Sequence, residues 1–311
     1  MAVDIGLHTG PQDISMADLL RLWREADEAG FRWISVWDHF YSNPLRDRTE
    51  PCFEGVAIMA ALAALTKRVQ VGCLMFCALY RSPGLLAKAA VTIDHISGGR
   101  CNLGVGAGWF QEEFEDFGYR FPPIGERFEH LEEALHIIRS LLDGEVTDYE
   151  GKYYSVSGAV CGPRPVQEKL PIWIGGRGPV KTPTFAAKYA AGFNVPYVSP
   201  EEYKQRLDVV ERVCGETRRD PAEVRRTVNL GFYMGADQAS ARRNREEMER
   251  SWGEELAQRA GGMLTGTHKE VIEQIGAFVG AGATDINLSL RGPYDFDAIP
   301  SFIEDVMPAF K

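Results

Sequence analysis

The amino-acid sequence predicts an α/β fold, a (β/α)8 TIM barrel spanning residues 1–311 as one domain with insertion loops. Three observations carry that prediction. Short apolar runs of strand length alternate eight times with stretches of helical period. None of the runs leads into the G-x-G-x-x-G fingerprint that an open, doubly wound nucleotide-binding sheet carries. A chain of 311 residues, 45% of them hydrophobic, is long enough for one large core, because such barrels use about 250 residues or more as a single unit.

The elements follow in order. VDIGLH (3–8) reads as the first strand and ADLLRLWREADEAG (17–30) as the first helix, with Leu19, Leu20, Trp23, Ala26 and Ala29 at helical spacing before the terminating Gly30. FRWISVW (31–37) is the second strand, followed by the helix EGVAIMAALAALT (54–66). RVQVGCLMF (68–76) and GLLAKAAVTIDHIS (84–97) make the third unit. CNLGVGAG (101–108) opens the fourth, and after a polar stretch its helix ERFEHLEEALHIIRSLLDG (126–144) ends at Gly144. DYEGKYYSV reads as a short inserted hairpin. PIWIGG (171–176) with TPTFAAKYAA (182–191) is the fifth unit, GFNVPYV with PEEYKQRLDVVERVCGE the sixth, and VNLGFYMG with ASARRNREEMERSW the seventh. TDINLSL (284–290) is the eighth strand, closed by a helix from Asp297 to Val306, and HKEVIEQIGAFVGAG is an additional helix before it. The Pro/Gly-rich stretches at 158–171 and 175–183 read as loops, and no internal repeat or low-complexity segment is present.

Composition narrows the function. A formal net charge of −10 argues against a nucleic-acid surface, which needs a basic patch or stripe. No apolar run approaches the ~20 residues of a membrane span. MAVDIGLHTG has no basic start and no long apolar segment, so the expected location is cytoplasmic. The six cysteines show no C-x-x-C pair and no zinc-ligand spacing with histidine, and Cys73 and Cys77 read as buried small hydrophobes rather than a redox pair. His130 and His136 stand six apart, off any shared helix face, so no metal site is expected.

Barrel enzymes build their sites from the loops after each strand. After the second strand come Asp38 and His39, where an imidazole can face the mouth as general acid or base. The competing assignment makes Asp38 a turn cap and His39 a packing residue. GCLMFCALYRSP after the third strand is either a flat wall or core. GVGAGW fails the nucleotide template because Trp109 stands in the last position, yet its glycines require close approach of a neighbouring element or of a flat ligand. GGRGPVKT (175–182) precedes a helix, where free backbone N–H groups, Arg177 and Lys181 suit a phosphate. It lacks the ending of a Walker motif.

SVWDHF, VGCLMFCALYRSPGLLAKAAVTIDHISGGRCNLGVGAGW, GERFEHLEEALHIIRSLLDG, LPIWIGGRG and LTGTHKEVIEQIGAFVGAGATDINL together resemble the luciferase-like monooxygenase superfamily, in its coenzyme F420-dependent oxidoreductase branch. The likeness covers nearly the whole chain. It implies the same barrel, a homodimer, a deazaflavin ring across the mouth and its phosphate on the loop after the fifth strand. Asp38 and His39 match the Asp-His pair beside the deazaflavin, with His39 the proton donor or acceptor. Leu74 and Met75 match a non-prolyl cis bond behind the ring, Ala107 and Gly108 match positions lining it, and Gly176, Arg177, Gly178, Val180 and Lys181 fall on the phosphate loop.

The resemblance thus implies hydride transfer between F420 and a small-molecule substrate. The sugar-phosphate dehydrogenases of this branch carry a glutamate base where Trp109 stands, which argues against oxidation of glucose 6-phosphate. Trp37 and Trp109 at the mouth suit an apolar or ring-shaped substrate. An FMN-dependent monooxygenase using reduced flavin and oxygen is the alternative. A non-catalytic flavin- or deazaflavin-binding protein is the third, against which His39 argues.

Overall fold

Each apolar run becomes a parallel strand, and each long amphipathic stretch packs outside it as a helix. The computed structural model describes residues 3–43, 48–292 and 294–310. The strands in chain order are β1 (Asp4–Thr9), β2 (Trp33–Val36), β3 (Gln70–Cys73), its two-residue continuation β4 (Phe76–Cys77), and β5 (Cys101–Gly106). The antiparallel hairpin β6 (Thr147–Glu150) and β7 (Ser155–Ala159) stands apart from the barrel, as the sequence suggested. β8 (Ile172–Gly175), β9 (Gly192–Pro196), β10 (Arg225–Met234), β11 (Met263–Gly266) and β12 (Asp285–Leu290) follow. The order β1-β2-β3-β5-β8-β9-β10-β12 closes on itself, because β12 pairs with β1 from Asp4↔Asp285 to Thr9↔Leu290.

The helices between them are α1 (Met16–Ala29), α2 (Gly55–Leu65), α3 (Pro83–Ser97), α4 (Gln111–Asp116), α5 (Ile124–Leu142), α6 (Lys181–Tyr189), α7 (Pro200–Thr217), α8 (Gln238–Trp252) and α9 (His268–Gly280). α1 illustrates why they form. The Ser15 side chain accepts the Asp18 N–H at the start, and Gly30 takes the left-handed φ of 91° at the end. Leu19, Leu22, Trp23 and Ala26 face the barrel, and the Trp23 indole donates to Thr9 Oγ1 at 3.0 Å. A cap of this kind contributes about 1 kcal/mol, so burial of the apolar stripe carries most of the stability.

Four departures from the sequence reading have local causes. The third strand breaks after Cys73 at a cis Leu74–Met75 peptide and resumes as β4. α4 occupies a stretch that reads only as polar. The closing helix is a short α-helical turn, Ala298–Ser301, continued by π-helical Phe302–Val306. β11 was not foreseen. β10 runs ten residues, and β12 pairs with it only from Thr227 to Gly231, so β11 covers the remaining Gly231–Met234. Four residues are too few to show a strand period.

Below the strand ends the barrel is filled. The Trp33 and Trp173 indoles stack with ring centroids 5.0 Å apart. Trp33 donates to Asn287 Oδ1 at 2.7 Å and Trp173 to Asn102 Oδ1 at 3.0 Å, while Asn287 and Asn194 both donate to Asn229 Oδ1. The Trp33 ring lies across Gly6, where a Cβ would stand 2.2 Å from its Cδ1. At the closing seam Arg225 donates to Asp4 at 2.6 Å and to Asp285 at 2.5 Å. No helix of the described residues is long and apolar enough to cross a membrane.

Candidate active site

The chain leaving β2, β3, β5, β8, β9 and β12 encloses a cavity of about 640 Å³ at the C-terminal end of the barrel. Trp37, Asp38 and His39 line it beyond β2, Leu74 and Met75 beyond β3, and Ala107, Gly108 and Trp109 beyond β5. Gly176, Arg177, Gly178, Val180 and Lys181 line it beyond β8. Every residue the sequence singled out for the site is therefore brought to one cavity.

His39 is held by a residue the sequence reading missed. Its Nδ1 lies 2.9 Å from Oε2 of Glu113, a fully buried carboxylate on α4. Glu113 also accepts the backbone N–H groups of Phe40 and Tyr41, at 2.7 and 3.1 Å, and the Tyr80 hydroxyl at 3.1 Å. Glu113 accepts from these three donors and takes the Nδ1–H in the same way, which leaves Nε2 as the exchangeable nitrogen. Asn43 Nδ2 stands 3.4 Å from Nε2, and both side chains line the cavity. The rings of Trp37, Trp109 and Phe110 meet the imidazole edge-on at 6.3, 5.5 and 5.7 Å.

Asp38 and His39 both line the cavity, but each holds different partners. Asp38 accepts both Arg81 η-nitrogens, at 2.7 and 2.8 Å, and the Cys77 N–H at 2.9 Å. Burial pushes its carboxyl up, and the Arg81 charge and the Cys77 amide oppose that shift. Asp38 thus ties the chain after β2 to β4 and to Arg81, two residues before α3, while His39 turns to Glu113. Arg81 also binds Glu54, whose carboxylate caps α2.

The glycines of GVGAGW answer to a neighbouring strand. A Cβ at Gly104 would stand 2.0 Å from the Cys73 carbonyl oxygen, and one at Gly106 would stand 3.2 Å from Met75 Cβ. Cys73 and Cys77 are buried free thiols, and burial pushes Cys77 up to about 12, so neither serves as a nucleophile. At the β8 loop, Gly176 has φ 148°, Arg177 donates to the Gln258 carbonyl at 2.6 Å, and Lys181 opens α6.

Two further polar residues sit on the cavity wall. His8, near the end of β1, has Nδ1 2.8 Å from Ser35 Oγ, and burial together with the Arg291 charge lowers it from 6.5 to about 3. It is neutral at physiological pH. Arg291 follows β12 directly. Looking past the eighth strand, as past the others, finds Arg291, whereas His8 lies within β1 itself. Nothing local selects Glu113 among Glu112, Glu115 and Asp116.

This barrel and its mouth define the class: the chain belongs to the luciferase-like monooxygenase family, whose family model matches residues 2–285. Among its relatives is the F420-dependent glucose-6-phosphate dehydrogenase of Amycolatopsis mediterranei (strain U-32), 28% identical over 339 residues, 99% of this chain and 98% of that protein. The enzyme of the same description from Microbacterium testaceum (strain StLB037) is 33% identical over 240 residues, 75% of this chain and 70% of its own. Among solved structures, an F420-dependent secondary alcohol dehydrogenase in complex with an F420-acetone adduct superposes with a TM-score of 0.87 over 100% of both chains at 21% identity. The FMN-bound oxygenating constituent of 3,6-diketocamphane monooxygenase from Pseudomonas putida gives 0.80 over 99% of both at 18%. The two structural likenesses concern the fold.

Proposed function

We propose that the protein is an oxidoreductase that uses coenzyme F420 to move a hydride to or from a small organic substrate, with His39 giving or taking the accompanying proton. The observation that carries this reading is the locked imidazole: Nδ1 held by Glu113 at 2.9 Å, with Nε2 the exchangeable nitrogen of a ring on the cavity wall.

The residues fit the cofactor. Gly176, Arg177, Gly178, Val180 and Lys181 would hold a phosphate, since the loop joins glycine backbone, two cations and the start of α6. Arg177 Nε is buried without a partner, which suits an anionic guest. Leu74, Met75, Ala107 and Gly108 would support a flat ring. When bound, the deazaflavin supplies the carbon that carries the hydride. His39 supplies or accepts the proton at Nε2, and Glu113 holds the ring in place through Nδ1. Trp37, Trp109 and Phe110 exclude water from the site.

Trp109 is half exposed and stacks on Phe110 at 5.1 Å. An aromatic pair favours an apolar or ring-bearing substrate over glucose 6-phosphate. Parallel titration of the purified protein with oxidised F420 and with FMN tests the reading. F420 should bind more tightly; tight FMN binding with undetectable F420 would replace it with the FMN-dependent monooxygenase.

A further inference from the structure

The unexplained charge in the cavity wall is Arg291. Its guanidinium carbon lies 4.9 Å from the Trp37 ring centroid, 5.3 Å from that of Tyr197 and 4.6 Å from that of Trp252. Its one hydrogen bond among the described residues runs from Nη2 to the Tyr197 hydroxyl at 3.1 Å, and Nε and Nη1 are buried without partners. It forms no ion pair with a described carboxylate. The cation nearby on the same wall, Arg259, is already paired with Glu255 at 2.7 Å.

The cage around Arg291 is built rather than incidental. Tyr197 holds φ 52°, a left-handed value that a non-glycine residue adopts at a cost. A Cβ at Gly262 would stand 2.5 Å from Tyr197 Cα, so a glycine is what permits the approach. The Tyr197 hydroxyl is also bonded to Ser289. His8, beside Arg291, is kept neutral in part by that guanidinium, so the charge of this pair resides on Arg291 alone. A partly desolvated cation with free donors and no counter-charge favours an anionic guest.

Arg291 follows β12 and the phosphate loop follows β8, three strands away in the barrel order. A phosphate held at Gly176–Lys181 leaves Arg291 free. Trp37 links it to the chemistry, because the same indole lies 6.3 Å from the His39 ring. We infer that Arg291 is the substrate-anion subsite, and that the substrate is a ring-bearing carboxylate whose ring lies along the aromatic wall while its carboxylate meets Arg291. This deepens the reading of the site as an F420-dependent oxidoreductase and rests on it.

Benzoate and its neutral isostere benzamide test the assignment on the F420-loaded protein, with binding read by calorimetry. Benzoate should bind at least about tenfold more tightly, the scale of one charge-assisted contact. Arg291→Gln should remove that preference and leave F420 affinity unchanged, whereas Arg291→Lys should keep part of it. Equal binding of the two probes, absence of binding by both, or a preference that survives Arg291→Gln would overturn the subsite. Loss of F420 affinity in both variants would assign Arg291 to the cofactor and overturn it as well. Failure of the wild-type protein to bind F420 sinks the F420 reading separately, and the benzoate preference is then read on the unloaded protein.

Discussion

At the scale of single residues, His39 and His8 are two imidazoles in contrasting surroundings. His39 lies against a buried carboxylate and a cavity; His8 lies against a serine, under a neighbouring guanidinium. Replacing His39 by Ala should lower turnover by ~10²-fold or more with F420 affinity nearly unchanged, as expected for a group that acts in proton transfer. Weakened binding with intact turnover at saturating cofactor would make it a packing residue. For His8 the folded value of about 3 lies below the ordinary 6.5. Above pH 6.5 its contribution to stability is complete. As pH falls towards 3 only the unfolded chain takes the proton, and stability is lost at about 1.4 kcal/mol per pH unit. Urea unfolding at pH 7 and pH 5 should therefore show the wild type losing about 2 kcal/mol more than His8→Asn; parallel losses would refute the assignment.

At the scale of elements, the ion pair from Asp38 to Arg81 fastens the chain beyond β2 to the start of α3. Asp38 is almost fully buried, so Arg81→Met would strand its charge. The expected cost is about 3–5 kcal/mol, read by thermal or urea unfolding, with partial recovery when Asp38→Asn is added. A near-neutral single substitution would show the pair to be dispensable. This pair also marks the limit of what the sequence makes legible. Strands and long helices show because their periods are local, and the rule that barrel sites follow strand ends leads to Asp38, His39, Arg177 and Lys181. Partners chosen by the fold do not show. Asp38 and His39 are neighbours in sequence yet bind different residues, 43 and 74 positions away. Glu113 stands among other acids on a six-residue helix. β11 exists only because β10 outruns its neighbour.

At the scale of the whole molecule, the closed sheet divides the barrel into a sealed part and an open one. Trp33, Trp173 and the asparagines fill the space beneath the cavity, so molecules enter and leave by the same opening. Leu74, Met75 and Ala107, where the proposed cofactor ring would rest, line the cavity at the strand ends, whereas Trp109 stands half exposed at the rim. What rests on the strand ends must therefore arrive first and depart last. Geometry in space becomes a compulsory order in time: cofactor before substrate, and product before spent cofactor. In steady-state kinetics a dead-end analogue of the substrate should be uncompetitive against F420, since it meets only the loaded protein. Noncompetitive inhibition would mean that either molecule can pass the other, and that the filled barrel imposes no queue.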